Sequence, residues 1–320
     1  MATRVAINGF GRIGRGFLRA ALADPSVEIV ALNDLVPPAT NAHLLQYDST
    51  QGILDVPVSV SENELHVGDR TIKVFAERDP AALLWGELDI DVVIESTGIF
   101  TSREAAAKHL TAGAKRVIIS APSPDADATF VMGVNEQTFN PDTDLVISNA
   151  SCTTNCFVPM VKVLDDAFGI EAGLMTTVHA YTNDQNLLDL AHKDLRRSRA
   201  AAINIVPTST GAARATSLVL SSMKGKLDGT SLRVPIPVGS ITDFTAVVLT
   251  TTVDAVNDAF RAAAAGALSG YVVYTDEPIV SSDIVGSPAS CTFDSGLTMV
   301  VPVDSDSTLV KVQGWYDNEW

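Results

Sequence analysis

Cysteine is scarce. The 320-residue chain has three, Cys152, Cys156 and Cys291, an odd number at no repeating spacing. A disulfide framework is thereby excluded as the source of stability. Cys152 and Cys156 alone cannot make a four-ligand zinc site, and no histidine pair at metal spacing accompanies them. Positive charge is also thin: 22 Lys and Arg face 38 Asp and Glu, a net charge of −16, with a pI near 4.6. So acidic a chain repels nucleic-acid phosphates outside a local basic patch. The densest such cluster, Lys193, Arg196, Arg197 and Arg199, suits an anionic substrate pocket at least as well. No apolar run approaches the roughly 20 residues of a membrane-spanning helix. The start, Met1-Ala2-Thr3-Arg4, lacks the pattern of a signal peptide, so a cytoplasmic location is expected. With 46% hydrophobic and 19% charged residues the composition is globular, and the length allows one large or two ordinary domains.

The first half alternates short apolar strands with helical patterns. Strands are expected at 5–8, 29–33, 92–95, 117–120 and 145–148, with helices over 12–23 and 103–110. This alternation argues for a doubly wound α/β fold, a parallel sheet covered on both faces. After a helical pattern beyond Cys152, long Val- and Thr-rich segments appear at 174–179, 241–253, 271–274, 297–303 and 309–314. Their partial period-two alternation predicts a sheet with one buried face. Further helices are expected at 211–220 and 253–268. The expectation is two domains. A Rossmann-type dinucleotide-binding domain spans 1–151, with 315–320 returning to it; an α+β catalytic domain with a mainly antiparallel or mixed sheet spans 152–314. The boundary then places Cys152 in a cleft between them.

Gly9-x-Gly11-x-x-Gly14 follows the first strand and opens the first helix, and Asp34 ends the second strand about 20 residues on. In that context the glycines permit a tight turn and close approach of a pyrophosphate to the helix start. Asp34 can accept from an adenosine ribose and repels a 2′-phosphate, favouring NAD over NADP. An ordinary tight turn with a surface aspartate is the alternative.

Cys152 lies at a strand-to-helix junction in Ser151-Cys152-Thr153-Thr154-Asn155-Cys156, polar company for a packing residue. Unpaired N–H groups at a helix start lower a thiol pKa and bind a developing oxyanion. His179 lies at a strand end in Thr177-Val178-His179-Ala180-Tyr181-Thr182-Asn183. A thiol nucleophile and a base on separate segments are what covalent catalysis on an aldehyde needs, although a histidine there could also merely cap a loop. His43, His66, His109 and His192 are expected to be solvent-facing or structural, and Cys156 to pack, with a redox partnership to Cys152 as a minor reading. Arg197 in the basic cluster and Arg233 in an apolar segment need anionic partners, a phosphate or a carboxylate. Thr208-Ser209-Thr210-Gly211 precedes a helix and offers donors to a second anion.

The cysteine and histidine runs, with Asn8-Gly9-Phe10-Gly11-Arg12-Ile13-Gly14-Arg15 and Trp315-Tyr316-Asp317-Asn318-Glu319-Trp320, resemble the phosphorylating glyceraldehyde-3-phosphate dehydrogenase family, over essentially the whole chain. The resemblance implies NAD-dependent oxidation of D-glyceraldehyde 3-phosphate to 1,3-bisphosphoglycerate in glycolysis or gluconeogenesis, through a Cys152 hemithioacetal and thioester with His179 as base. It places Arg12 and Ile13 at the pyrophosphate, Arg78 near the adenine, Thr97 and Ser120 along the cofactor, and Asn318 at the nicotinamide amide. It gives Thr182, Arg197 and Arg233 to the substrate phosphate, Ser151, Thr153, Thr210 and Gly211 to the attacking inorganic phosphate, and Arg199 a lesser place beside them. It also implies a homotetramer, with the loop 181–202 as a candidate for subunit contacts. Two departures stand out. Ala191 replaces the proline that commonly follows Asp-Leu in NAD-dependent members, which implies some use of NADP. The chain also stops at Trp320, where members usually continue into a further helix, so exposed apolar surface, with weaker stability or NAD binding, is expected. Erythrose-4-phosphate oxidation, with water as acceptor, and a non-catalytic NAD- or RNA-binding scaffold are the competing readings.

Overall fold

The computed structural model describes residues 2–320. The chain divides into two compact units, one formed by residues 2–130, 138–150 and 319, the other by residues 131–137, 151–318 and 320.

The first unit is built on a nine-stranded sheet. Its order is Ala128–Thr129, Val146–Ser148, Arg116–Ile119, Val92–Glu95, Thr3–Asn8, Val27–Asn33, Arg70–Phe75, Glu64–Val67, Val58–Ser61. The first seven run parallel and the last two add antiparallel hairpins. Alternate residues of the central strand bury on opposite faces, which is why its sequence reads as continuously apolar. Val5 and Ile7 pack with Leu18, Leu32, Leu45 and Leu65, whereas Ala6 packs with Ala31, Trp85, Ile90 and Val93.

Several expected elements have different bounds. The first helix is Arg12–Ala21 and ends two residues short of expectation. The expected helix over 103–110 is two turns, Arg103–Ala106 and Lys108–Thr111. The backbone tightens at Ala107, where ψ is −13° and the Leu110 N–H donates to the Ala107 carbonyl at 2.9 Å, a bond of 3₁₀ type. The strands at 58–75 were not expected at all.

The second unit holds an eight-stranded mixed sheet in the order Val206–Ser209, Leu227–Val234, Ile170–Ala180, Ser240–Leu249, Ser307–Tyr316, Cys291–Asp294, Val272–Thr275, with Met299–Pro302 also paired to Ser307–Tyr316. The segment expected as one strand over 241–253 ends at Leu249, and Thr252 caps the helix Val253–Ala265 by accepting from the Ala255 N–H. The long helix Cys152–Phe168 lies on this sheet. Phe157 meets Phe244 edge-on at 4.9 Å between ring centroids, and Phe260 stacks on Phe293 at 3.8 Å. Fully burying each ring contributes about 1.5–3 kcal/mol.

Candidate active site

The second unit carries the thiol. Ser151 caps the helix Cys152–Phe168, its Oγ accepting from the Thr154 N–H at 3.0 Å. Cys152 is therefore the first helical residue, among N–H groups that have no intrahelical acceptor. His179 comes from the strand Ile170–Ala180, one residue before its end. Cys152 Sγ lies 3.3 Å from His179 Nε2. His179 Nδ1 lies 2.6 Å from the Ala180 carbonyl oxygen. A carbonyl only accepts, so Nδ1 carries the proton and Nε2 presents its lone pair to the sulfur.

Arg233 stands beside His179 in register on the adjacent parallel strand. Its Nη1 donates to Thr182 Oγ1 at 3.0 Å and to the Ala180 carbonyl at 3.3 Å. Its Nε is buried with no partner among the described residues. Arg197 donates through Nε to Thr208 Oγ1 at 2.9 Å and pairs with Asp184. Burial, and then the charges of Arg233 and Arg197, bring the His179 pKa down to about 4, against the pull of the Ala180 carbonyl. Burial pushes the Cys152 thiol up, while the Thr153 hydroxyl, the Thr153 and Cys152 N–H groups and the Arg233 charge act the other way. The resting pair is a thiol facing a neutral imidazole.

Thr153 Oγ1 and Thr177 Oγ1 both bond the Tyr316 hydroxyl, at 2.8 and 2.7 Å. The Tyr316 ring meets the His179 ring edge-on with centroids 6.0 Å apart. Sequence reasoning missed Tyr316 as a site residue. Its signal was the alternation along Ser307–Tyr316, which puts it on the buried face. Asn318 Oδ1 accepts from the Gly239 N–H at 3.1 Å and Ser240 Oγ at 3.0 Å, so its amide NH₂ takes no part in those two bonds. Thr210 Oγ1 accepts from the Ala212 N–H, and Gly211 precedes the helix Ala212–Val219. Arg199 pairs with Asp189 at the surface, both largely exposed. Cys156 is fully buried, its Sγ 3.5 Å from the Gly314 carbonyl oxygen.

The first unit carries a cavity of about 490 Å³ lined by Gly9, Gly11, Asp34, Arg78 and Thr97, together with Asn8, Asn33, Glu77, Ser96 and Phe100. Gly9 has φ +90°, and a Cβ there would lie 2.6 Å from the Thr97 nitrogen; at Gly14 it would lie 2.2 Å from the Gly9 carbonyl oxygen. At Gly11 a Cβ would meet nothing within 4 Å, so that glycine leaves open space at the helix start. Asp34 accepts from the Phe10 N–H at 2.6 Å and the Val36 N–H at 2.8 Å. These residues fit a dinucleotide: a bare turn at a helix start, with a carboxylate at the end of the neighbouring strand. The Arg12 guanidinium is taken up by Asp48, Thr50 and Glu319, which leaves its backbone N–H at the helix start. Ile13 is half-buried in that first turn. Ser120 stands off the cavity wall, its hydroxyl donating to the Glu95 carbonyl at 3.2 Å.

Two family models match the chain. Residues 3–103 match "Glyceraldehyde 3-phosphate dehydrogenase, NAD binding domain", and residues 151–318 match "Glyceraldehyde 3-phosphate dehydrogenase, C-terminal domain". Among curated relatives, glyceraldehyde-3-phosphate dehydrogenase 2 of Streptomyces avermitilis is 60% identical over 100% of this chain and 95% of its own length. The glyceraldehyde-3-phosphate dehydrogenase of Geobacillus stearothermophilus and glyceraldehyde-3-phosphate dehydrogenase 1 of Bacillus subtilis are each 57% identical, over 100% of this chain and 94% of their own lengths.

Proposed function

The chain belongs to the glyceraldehyde 3-phosphate dehydrogenase family, and from that premise we propose that it oxidises D-glyceraldehyde 3-phosphate with NAD and inorganic phosphate to 1,3-bisphosphoglycerate, Cys152 acting as nucleophile and His179 as base. The observation that carries the reading is the 3.3 Å approach of Sγ to an Nε2 whose lone pair is fixed toward it.

Gly9, Gly11, Asp34 and Thr97 would hold the adenosine and pyrophosphate end of NAD, and the Asn318 NH₂ would bond the nicotinamide amide. Bound NAD supplies the hydride acceptor. The chain's own residues do the rest. Cys152 passes its proton to His179 Nε2 and its sulfur adds to the aldehyde carbon, giving a hemithioacetal whose oxygen takes that proton back. The N–H groups of Cys152 and Thr153 stabilise the charge that develops on that oxygen. His179 then accepts the hydroxyl proton as the C–H hydride departs, and the carbonyl re-forms as a thioester. A phosphate oxygen attacks that carbon, the C–S bond breaks, and the sulfur regains a proton.

The arginines set the timing. With a pKa near 4, the free imidazole is a weak base, depressed in part by Arg233 and Arg197. A substrate phosphate at Arg233, Arg197 and Thr182 offsets those charges and raises the basicity of His179 when substrate is present. Ser151, Thr153, Thr210 and Gly211 are assigned to the attacking phosphate.

The test is nicotinamide reduction with glyceraldehyde 3-phosphate and NAD, with and without inorganic phosphate. Wild type should turn over in a phosphate-dependent manner, Cys152→Ser should lose at least about 10⁴-fold, and His179→Asn about 10²–10⁴-fold. Phosphate-independent turnover would instead support erythrose-4-phosphate or another aldehyde with water as acceptor.

A further inference from the structure

Beneath the cofactor cavity lies a buried polar network that the chemistry above does not use. Register places Asn33, Asn8 and Glu95 side by side near the C-terminal ends of three adjacent parallel strands. Glu95 is 1% exposed and His109 is 0% exposed. The two ends of the network dictate the direction of the bonds that reach Glu95, and make the 3.3 Å approach of Asn8 Nδ2 to His109 Nε2 a contact of two donors rather than a bond.

At one end the Glu77 N–H donates to Asn33 Oδ1 at 2.8 Å, so the Asn33 amide donates to Asn8 Oδ1 at 2.7 Å. The Asn8 amide must then donate onward, to Glu95 Oε2 at 2.6 Å. At the other end the Trp85 indole N–H donates to His109 Nδ1 at 2.9 Å. An indole only donates, so Nδ1 is bare, the ring is neutral and Nε2 carries the hydrogen. That hydrogen goes to Glu95 Oε2 at 2.9 Å. Glu95 Oε1 accepts from the Thr97 N–H at 2.9 Å and from the Thr97 hydroxyl, which itself accepts from the Ile99 N–H at 3.1 Å. Four donors converge on one carboxylate, and neither oxygen has room for a proton.

Asn8, Asn33 and Thr97 line the cofactor cavity; His109 and Trp85 do not. We propose that His109 is a positioning residue for that cavity: held neutral by Trp85, it fixes Glu95, and through Glu95 the two wall residues Asn8 and Thr97. This also gives the helix break at Ala107 a consequence, since the second turn, Lys108–Thr111, carries the buried ring. The proposal rests on the reading that this cavity takes NAD.

The experiment is calorimetric binding of NAD, with steady-state kinetics, on wild type, His109→Phe and His109→Gln. Phenylalanine fills the space but leaves Glu95 Oε2 one donor short and the Trp85 N–H without an acceptor. Its NAD dissociation constant and KM should rise about tenfold with kcat within about twofold, whereas glutamine, whose amide can donate to Glu95, should recover most of the loss. An unchanged dissociation constant in His109→Phe, or no recovery in His109→Gln, overturns the positioning role. Failure of wild type to bind NAD overturns the assignment of the cavity instead. If the phenylalanine variant does not fold, imidazole ¹⁵N shifts of wild type decide: a bare Nδ1 and a protonated Nε2 at neutral pH are expected, and a protonated Nδ1 sinks the proposal.

Discussion

At the scale of single residues, His179 ties chemistry to stability. Its folded pKa, about 4, lies below the 6.5 of an unperturbed imidazole, because burial and two arginine charges disfavour the cation. The unfolded chain therefore binds a proton in the interval where the folded one does not, so stability falls as pH is lowered from about 6.5 and the loss is complete near pH 4. The difference corresponds to about 3 kcal/mol at most. Urea unfolding of wild type and His179→Asn across that window should show a steeper acid loss in wild type, with the two curves running parallel below pH 4. Identical slopes between pH 6.5 and 4 would mean that His179 is not held neutral by the fold. Cys152 and His179, the proposed nucleophile and base, stood out in the sequence by their polar neighbours at element ends, and the structure brings them to 3.3 Å. Tyr316 did not stand out, because an aromatic residue in an alternating strand reads as core until its hydroxyl's partners, Thr153 and Thr177, are known.

At the scale of elements, the first residue of the strand Ser240–Leu249 links two functions. Ser240 Oγ accepts from the Ala180 N–H at 3.1 Å, so its own hydrogen goes to Asn318 Oδ1. The Ala180 carbonyl in turn holds His179 Nδ1. One hydroxyl therefore sets both the direction of the Asn318 amide and the peptide that orients His179, the proposed base. Ser240→Ala should raise the KM for NAD and lower kcat, and should cost about 1–3 kcal/mol of stability through the orphaned Ala180 N–H. In a cycle with Asn318→Ala the effects on kcat/KM should be clearly non-additive; simple additivity would separate the two roles. The strands that were read correctly, such as 92–95, are short apolar runs buried on both faces. The hairpin strands Val58–Ser61 and Glu64–Val67 escaped notice because they alternate with polar residues and cover one face only. Their period-two pattern and the turn at Gly68 were present in the chain and would have sufficed. The single helix expected over 103–110 is two turns, the second carrying the His109 ring, which is buried against Trp85 and Glu95, a placement no local pattern announces.

At the scale of the whole molecule, the two-fold division of fold type was legible because periodicity changes near Cys152, from continuous apolar runs to alternation. An assembly is implied by family resemblance alone. We propose a homotetramer, and the surface of the second unit gives that proposal a physical footing. The loop 181–202 exposes Leu187 at 80%, Leu188 at 76% and Leu195 at 82%, apolar surface whose contact with water is unfavourable and whose burial is favourable. Against burial of such surface stands charge, since every copy brings −16. Repulsion between copies is screened within about 8 Å at physiological salt but extends to about 30 Å at 0.01 M. Light scattering should therefore give a tetramer mass near physiological ionic strength, with smaller species growing as salt is withdrawn. Replacing Leu187 and Leu188 together by aspartate should move the balance further toward those smaller species. A monomer mass at every salt concentration would overturn the tetramer. A tetramer indifferent to both aspartates would keep the assembly and exclude this loop from its contacts.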